Sequence, residues 1–192
     1  ADTRRGTPTA ARVFGNTSAI LAGDVLLSRA MTVLAKDGDL DIIRVVAQSV
    51  TDLAEGETLE LELRSEYDLS LQDYQHVLDL KTASFIACCC RVGGMVAGAS
   101  EAVQEALSEY GMRIGYAFQI ADDLLDYRGD TTDTGKPRAT DFREGCLTLP
   151  LLYLRETLSE DEGAFARNKF GTNFHDDEGA LICGCLQDRG AF

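Results

Sequence analysis

The sequence predicts an all-α protein, a helical bundle in one domain of 192 residues. Three observations predict it. Apolar residues recur at three- and four-residue steps nearly throughout, which is the period of a helix with one buried stripe. Only three prolines interrupt the chain, and it has no tryptophan. Capping signatures stand at the head of several of the apolar runs. With 45% hydrophobic residues there is enough apolar material for a substantial core.

The elements follow in order. Residues 1–9 read as a short basic loop with Arg4, Arg5 and Gly6, after which Pro8 opens a helix. Leu21, Val25, Leu27, Ala30, Met31 and Leu34 then give a strongly apolar helix, ended by Lys36-Asp37-Gly38 as an expected C-cap. Asp24 and Arg29 make that run too polar for a membrane span, and they read as a structural polar pair or as interface contacts. Asp39 or Asp41 starts the next helix, with Leu40, Ile43, Val46, Val50 and Leu53 as its buried stripe. It carries EGETLELE at residues 55–62, where Gly56 costs a helix about 1 kcal/mol and so implies close packing or a kink. Glu55 and Glu57 read there as a solvated face.

Ser70-Leu71-Gln72-Asp73 is an N-cap signature opening a helix through Tyr74, Val77, Leu80, Ser84 and Ala87. Lys81, in this small and apolar stretch, is either a snorkelling surface lysine or a phosphate clamp, and the segment alone favours the surface. Gly93-Gly94 and Gly98 are expected to break the helix before a long one begins at Ser100-Glu101. After Tyr127 a polar, glycine-punctuated loop should lie over the carboxyl end of that long helix. Within it Gly129 and Gly135 miss the Walker A spacing, and Asp126, Asp130 and Asp133 miss that of an EF-hand. A helix follows Pro150, Ser159-Glu160-Asp161-Glu162 caps a short one ending near Phe170, and Asp176-Asp177 cap the last, through Leu181 to Leu186.

Thirty-two acidic residues against 18 basic ones set a net charge of −14. A field of that sign repels nucleic acid and anionic membranes and favours metal cations, so an anionic substrate needs local lysines, arginines or bridging metal. Cys88, Cys89 and Cys90 point in three directions on a helix, and with two histidines and no CxxC pair the six cysteines argue for packing rather than zinc. Unpaired thiols suit a reducing compartment, the cytoplasm, or an organellar matrix if a leader has been removed. The chain opens in mid-pattern at Ala1 and stops directly after a helix terminus at Gly190, so both ends read as cuts.

The stretch Tyr110–Tyr127, YGMRIGYAFQIADDLLDY, organises the rest. On its helix Gln119, Asp122, Asp123 and Asp126 lie near one another. Like charges at i,i+4 destabilise a helix by a few tenths of a kcal/mol unless something compensates. Mg²⁺ would do so, taking one or two carboxylates together with phosphates and water. For DDxxD alone, an acidic solvent face explains the pattern equally well.

The conjunction FQIADDLLDYRGDTTDTGKPRATDFREGCLTLPLLYL resembles the second aspartate-rich region of the trans-isoprenyl (polyprenyl) diphosphate synthase family. RRGTPTAARVFGNTSAILAGDVLLSRA, EGE at residues 55–57 and KTASF at residues 81–85 fall in the same family order, so the resemblance covers about residues 1–155. It implies an all-α bundle around a central cavity, usually a homodimer. It further implies Mg²⁺ at Asp122 and Asp126, with Asp123 beside them and Gln119 reaching the same metal–diphosphate cluster. Lys81, Thr82 and Lys136 would contact the allylic diphosphate, Arg4 would hold it too, and Arg5 would hold isopentenyl diphosphate. Lys81, Thr82 and Gln119 are the residues given a catalytic part. The chemistry implied is ionisation of the allylic C–O bond, attack by the isopentenyl double bond and loss of a proton, with no enzymic nucleophile.

Departures from the family pattern are specific. The first aspartate-rich motif should precede Arg4, where only Asp2 stands, and the family's C-terminal helices are missing, so residues 1–192 read as a partial domain. Cys146 occupies a position where many members have Lys, and Glu60 one where Gln is often seen. This chain alone is therefore expected to be inactive. The second functional reading is a non-catalytic partner subunit of a heteromeric synthase. Retention of Lys81-Thr82, Gln119 and the whole of DDLLD favours the enzyme, because a purely structural partner has no reason to keep stacked like charges.

Overall fold

The computed structural model describes residues 3, 4, 6–128 and 139–191. Among them the fold is all-α, with one small exception. Thr3–Arg4 (β1) and Thr7–Pro8 (β2) pair as an antiparallel ladder around Gly6, whose φ of +72° a side chain would resist. Pro8 thus belongs to the ladder and does not open a helix. Helix α1 (Ala10–Phe14) starts two residues later, behind Thr9, whose hydroxyl accepts from the Arg12 amide.

Helix α2 (Asn16–Asp37) ends on Gly38 in the left-handed conformation, as its C-cap signature requires. It buries no residue, and Leu26 is 71% exposed. Contrary to the expectation from Asp24 and Arg29, its 22 residues are long and apolar enough by length and composition to cross a membrane. Core helices of soluble proteins share that composition. Helix α3 (Leu40–Leu63) is capped by Asp39, whose carboxylate accepts from the Asp41 and Ile42 amides. Its fully buried line is Ile42, Ser49 and Gly56, seven residues apart. Ile43, Val46, Val50 and Leu53 are half-buried and Leu40 is 64% exposed, so the apolar stripe is not the innermost one. At Gly56 the neighbouring backbone comes so near that no side chain fits: a Cβ there would lie 2.7 Å from the Lys81 amide nitrogen.

Ser70 and Asp73 form a complete capping box at the head of α4 (Leu71–Leu78). The rod does not continue as a regular α-helix. Residues Asp79–Ala83 form a π turn, with the Ser84 amide bonded back to the Asp79 carbonyl, and α5 (Ser84–Val96) follows. Gly93 and Gly94 lie inside α5 and do not break it; the chain turns at Gly98, φ +67°. Gly94 instead admits Leu107 of the next helix, which would come within 2.8 Å of a Cβ there.

Helix α6 (Glu101–Arg128) runs back along α5. A Cβ on Gly111 would stand 2.6 Å from the Ala87 Cα, and one on Gly115 2.5 Å from the Ala83 Cα. This antiparallel contact is closer than any larger residue allows, and it aligns the π turn with the acidic end of α6. The chain returns beneath that end at Ala139, whose amide donates to the Asp126 carbonyl. Then come α7 (Thr140–Glu144), α8 (Leu149–Thr157), α9 (Glu160–Lys169, capped by Ser159 and Glu162) and α10 (Asp176–Asp188). The last is capped one residue earlier than expected, at His175, whose amide donates to Glu178. The main core gathers in this part: Tyr127, Phe142, Leu151, Leu154, Phe170, Phe174 and Leu186 pack with Tyr74 and Leu78 of α4. The carboxyl end of α6 is therefore rigidly seated.

Candidate active site

A cleft open to solvent lies between α3, the π turn, α6 and the Gly145–Thr148 segment. Lys81, Thr82, Gln119 and Asp123 all line it, with Glu60, Tyr74 and Cys146. The π turn places Lys81 and Thr82 there together. With more residues per turn than an α-helix, it narrows the angle between successive side chains, and both line the cleft.

Asp123 is the buried charge of the site, 5% exposed. Burial raises its pKa, and the two donors that reach it pull the other way. The Tyr74 hydroxyl donates to one carboxylate oxygen at 2.7 Å and the Gln119 amide to the other at 2.9 Å. Gln119 is fixed in turn, since its carbonyl oxygen accepts from the Thr82 hydroxyl at 2.8 Å. The result is a chain of hydrogen bonds running Thr82–Gln119–Asp123–Tyr74.

Lys81 stands half-buried at the cleft wall. Its ammonium donates to Glu60 of α3 at 2.6 Å, and Glu57 lies 3.5 Å away, at the edge of the same pair. Burial works to lower its pKa, but Glu60 and Glu57 together leave it raised. An ammonium has three donors, so the Glu60 bond orients Lys81 without exhausting it. Cys146 brings no charge: burial, then Glu60, pushes its thiol up to about 11.

The other two acids differ from Asp123. Asp122 is exposed and Asp126 half-buried, one oxygen of Asp126 accepting from the Asp141 amide at 2.9 Å. Asp141 itself was not singled out by sequence, yet it crowds Asp126, Asp123 and Asp122 closely enough to feel each charge. Arg5 and Lys136 lie outside the described residues, and of Arg4 only the backbone is described. Sequence reasoning also missed Tyr74 and the Glu60 partner of Lys81. Neither carries a local signal, because each acts across tens of residues.

The polyprenyl synthetase family profile matches residues 1–181. The nonaprenyl diphosphate synthase of Mycobacterium tuberculosis is 42% identical over 158 residues, covering 82% of this chain and 47% of that protein. The octaprenyl diphosphate synthase of Escherichia coli is 38% identical over 152 residues, 79% of this chain and 47% of its own length. The chain thus spans about half the length of these curated relatives. A crystal structure of a polyprenyl synthase from Caulobacter crescentus, complexed with calcium and isoprenyl diphosphate, superposes with a TM-score of 0.93 at 33% identity. That match covers 100% of this chain and 58% of the other.

Asp141 gives the site a pH dependence. Burial, then Asp126, Asp123 and Asp122, push its carboxyl up to about 8. A carboxyl held above its unfolded value binds its proton more tightly in the folded chain. Its contribution to stability is complete below about pH 4 and fades as the pH rises to about 8. Without divalent cations, thermal unfolding should move down by several degrees between about pH 5 and about pH 8. Asp141→Asn should flatten that slope, and an unchanged slope in the variant contradicts the assignment.

Proposed function

The chain belongs to the polyprenyl synthetase family, and on that premise we propose that it forms the α6 side of a trans-prenyltransferase site joining isopentenyl diphosphate to an allylic polyprenyl diphosphate. The observation that carries the reading is the convergence of Lys81, Thr82, Gln119 and Asp123 on one cleft, with Asp122 and Asp126 a turn away on α6.

The donor set suits Mg²⁺, which usually takes one or two carboxylates and completes its shell with phosphate and water. Asp122, being exposed, and Asp126, half-buried, are the residues that would hold it. Asp123 stands beside them, and by accepting from Gln119 and Tyr74 it also positions Gln119. When bound, the metal supplies Lewis-acid stabilisation of the charge gathering on the leaving diphosphate.

The chain's own residues do the rest. Lys81, pinned by Glu60, presents its remaining donors as a fixed positive charge toward the diphosphate oxygens. The Thr82 hydroxyl and the Gln119 amide form a polar ledge whose orientation Asp123 sets. Leu63, Leu69, Val77 and Leu147 line the same cleft and supply an apolar wall for the hydrocarbon part. The Cys146 thiol, protonated at neutral pH, is a poor nucleophile and leaves the allylic cation to the isopentenyl double bond. A non-catalytic partner subunit would have no use for a buried carboxylate that orients Gln119 and Thr82 beside Lys81, so the assembled cleft favours the enzyme.

Helix α2 supports the homodimer in this proposal. Val25, Leu26 and Val33 form part of an exposed apolar face that a second copy would cover.

In the native full-length protein, Asp122→Ala and Lys81→Ala should each lower condensation turnover by about 100-fold or more. Cys89→Ser, at an exposed thiol on α5, should leave it within about twofold. Parental turnover in Asp122→Ala contradicts the metal assignment. In sedimentation velocity the parent should run as a dimer and Leu26→Glu as a monomer; a dimer of unchanged stability in the variant removes α2 from the interface.

A further inference from the structure

The π turn that carries Lys81 and Thr82 needs something to hold it. Turns of this kind occur as short interruptions of an α-helix and are frequent at functional sites. Here Asp79 supplies the carbonyl that accepts the wide bond from the Ser84 amide. The carboxylate of the same residue accepts a hydrogen bond from the phenol of Tyr116 on α6. Three residues on, Thr82 donates to Gln119, three residues beyond Tyr116.

The geometry of these two bonds is informative. The approaches of Ala83 to Gly115 and of Ala87 to Gly111 set the antiparallel register of the two helices. In that register position 79 lies level with 119, and position 82 with 116. The bonds formed, Asp79–Tyr116 and Thr82–Gln119, therefore run on crossing diagonals, one from each end of the turn. A change in the phase of the turn would break at least one of them. Burial, then the bond to Asp79, pushes the Tyr116 phenol up to about 12, so it remains a donor throughout the neutral range. Neither Asp79 nor Tyr116 lines the cleft.

We propose that Asp79 and Tyr116 are positioning residues whose hydrogen bond clamps the π turn to α6 and so holds Lys81 and Thr82 against the allylic diphosphate. The role rests on the functional reading above. Neither residue touches substrate, and the pair acts only through the turn between them.

The test uses the native full-length protein, with farnesyl diphosphate as allylic substrate and amide hydrogen exchange as a second readout. Tyr116→Phe keeps the ring and removes the donor; Asp79→Ala removes the acceptor. Each should raise KM for farnesyl diphosphate by about fivefold to tenfold, the loss of one hydrogen bond. Each should leave KM for isopentenyl diphosphate within about twofold and speed exchange at amides 80–84. Asp79→Asn, whose side-chain oxygen can accept the same bond, should restore both the allylic KM and the protection. Unchanged allylic KM in Tyr116→Phe, or equal rises for both substrates, overturns the proposal. A parent protein with no condensation activity overturns the functional reading instead, and exchange at 80–84 still shows whether the bond holds the turn.

Discussion

A carboxylate taken out of water must be met by donors or give up its charge, and Asp123 imposes that condition on the whole site. Its two donors arrive from different elements, Tyr74 from the first turn of α4 and Gln119 from one turn earlier on α6. Losing either would leave a buried acceptor unsatisfied at a cost of about 1–3 kcal/mol. The constraint reaches further through Gln119. Because its amide nitrogen must face Asp123, its oxygen must face Thr82, and the reversed orientation would set oxygen against carboxylate. One buried charge thus decides which way the polar ledge of the cleft presents itself.

Helix packing makes those bonds reachable. Gly111 and Gly115 let α6 approach the backbone of α5, and Gly56 lets α3 approach the π turn. At each contact a Cβ would stand closer than 3 Å to neighbouring backbone, so the approach depends on glycine rather than on conformational freedom. The Glu60 bond to Lys81 depends on the same closeness, since Glu60 lies one turn after Gly56 on α3. Beneath the site, Tyr127, 1% exposed, seats the end of α6 in the main core, where its hydroxyl lies 3.3 Å from that of Thr148. The acidic end of α6 is thus seated in the core, with the π turn packed beside the helix.

Much of the fold was legible because it is written in local patterns. The Asp39 cap, the Ser70–Asp73 and Ser159–Glu162 boxes and the Gly38 stop each involve residues three or four apart, and they stand where their spacing places them. The close approach at Gly56 was legible from its cost in a helix. What failed lay outside helical periodicity, in one local hairpin and in helix packing. Pro8 joined a ladder in place of a helix, Gly93 and Gly94 stayed within α5, and α3 turned Ile42, Ser49 and Gly56 inward at the expense of Leu40. The π turn carries no sequence signature of its own. In the site, the periodicity of α6 brought Gln119 and the aspartates together, but the division of labour among them was not visible. Asp123 differs from Asp122 by one residue and about 100° of helix rotation, and only the partners across the groove separate their roles.

In the proposed site the acids of α6 and the Lys81–Thr82 pair address one and the same diphosphate. The most direct measurement is a crystal structure of the protein with Mn²⁺ in place of Mg²⁺ and inorganic diphosphate, located by anomalous scattering. The account predicts manganese about 2 Å from a carboxylate oxygen of Asp122 or Asp126, bridging to a diphosphate whose oxygens lie within hydrogen-bond reach of Lys81 Nζ. Manganese bound away from α6, or diphosphate bound out of reach of Lys81, would contradict it.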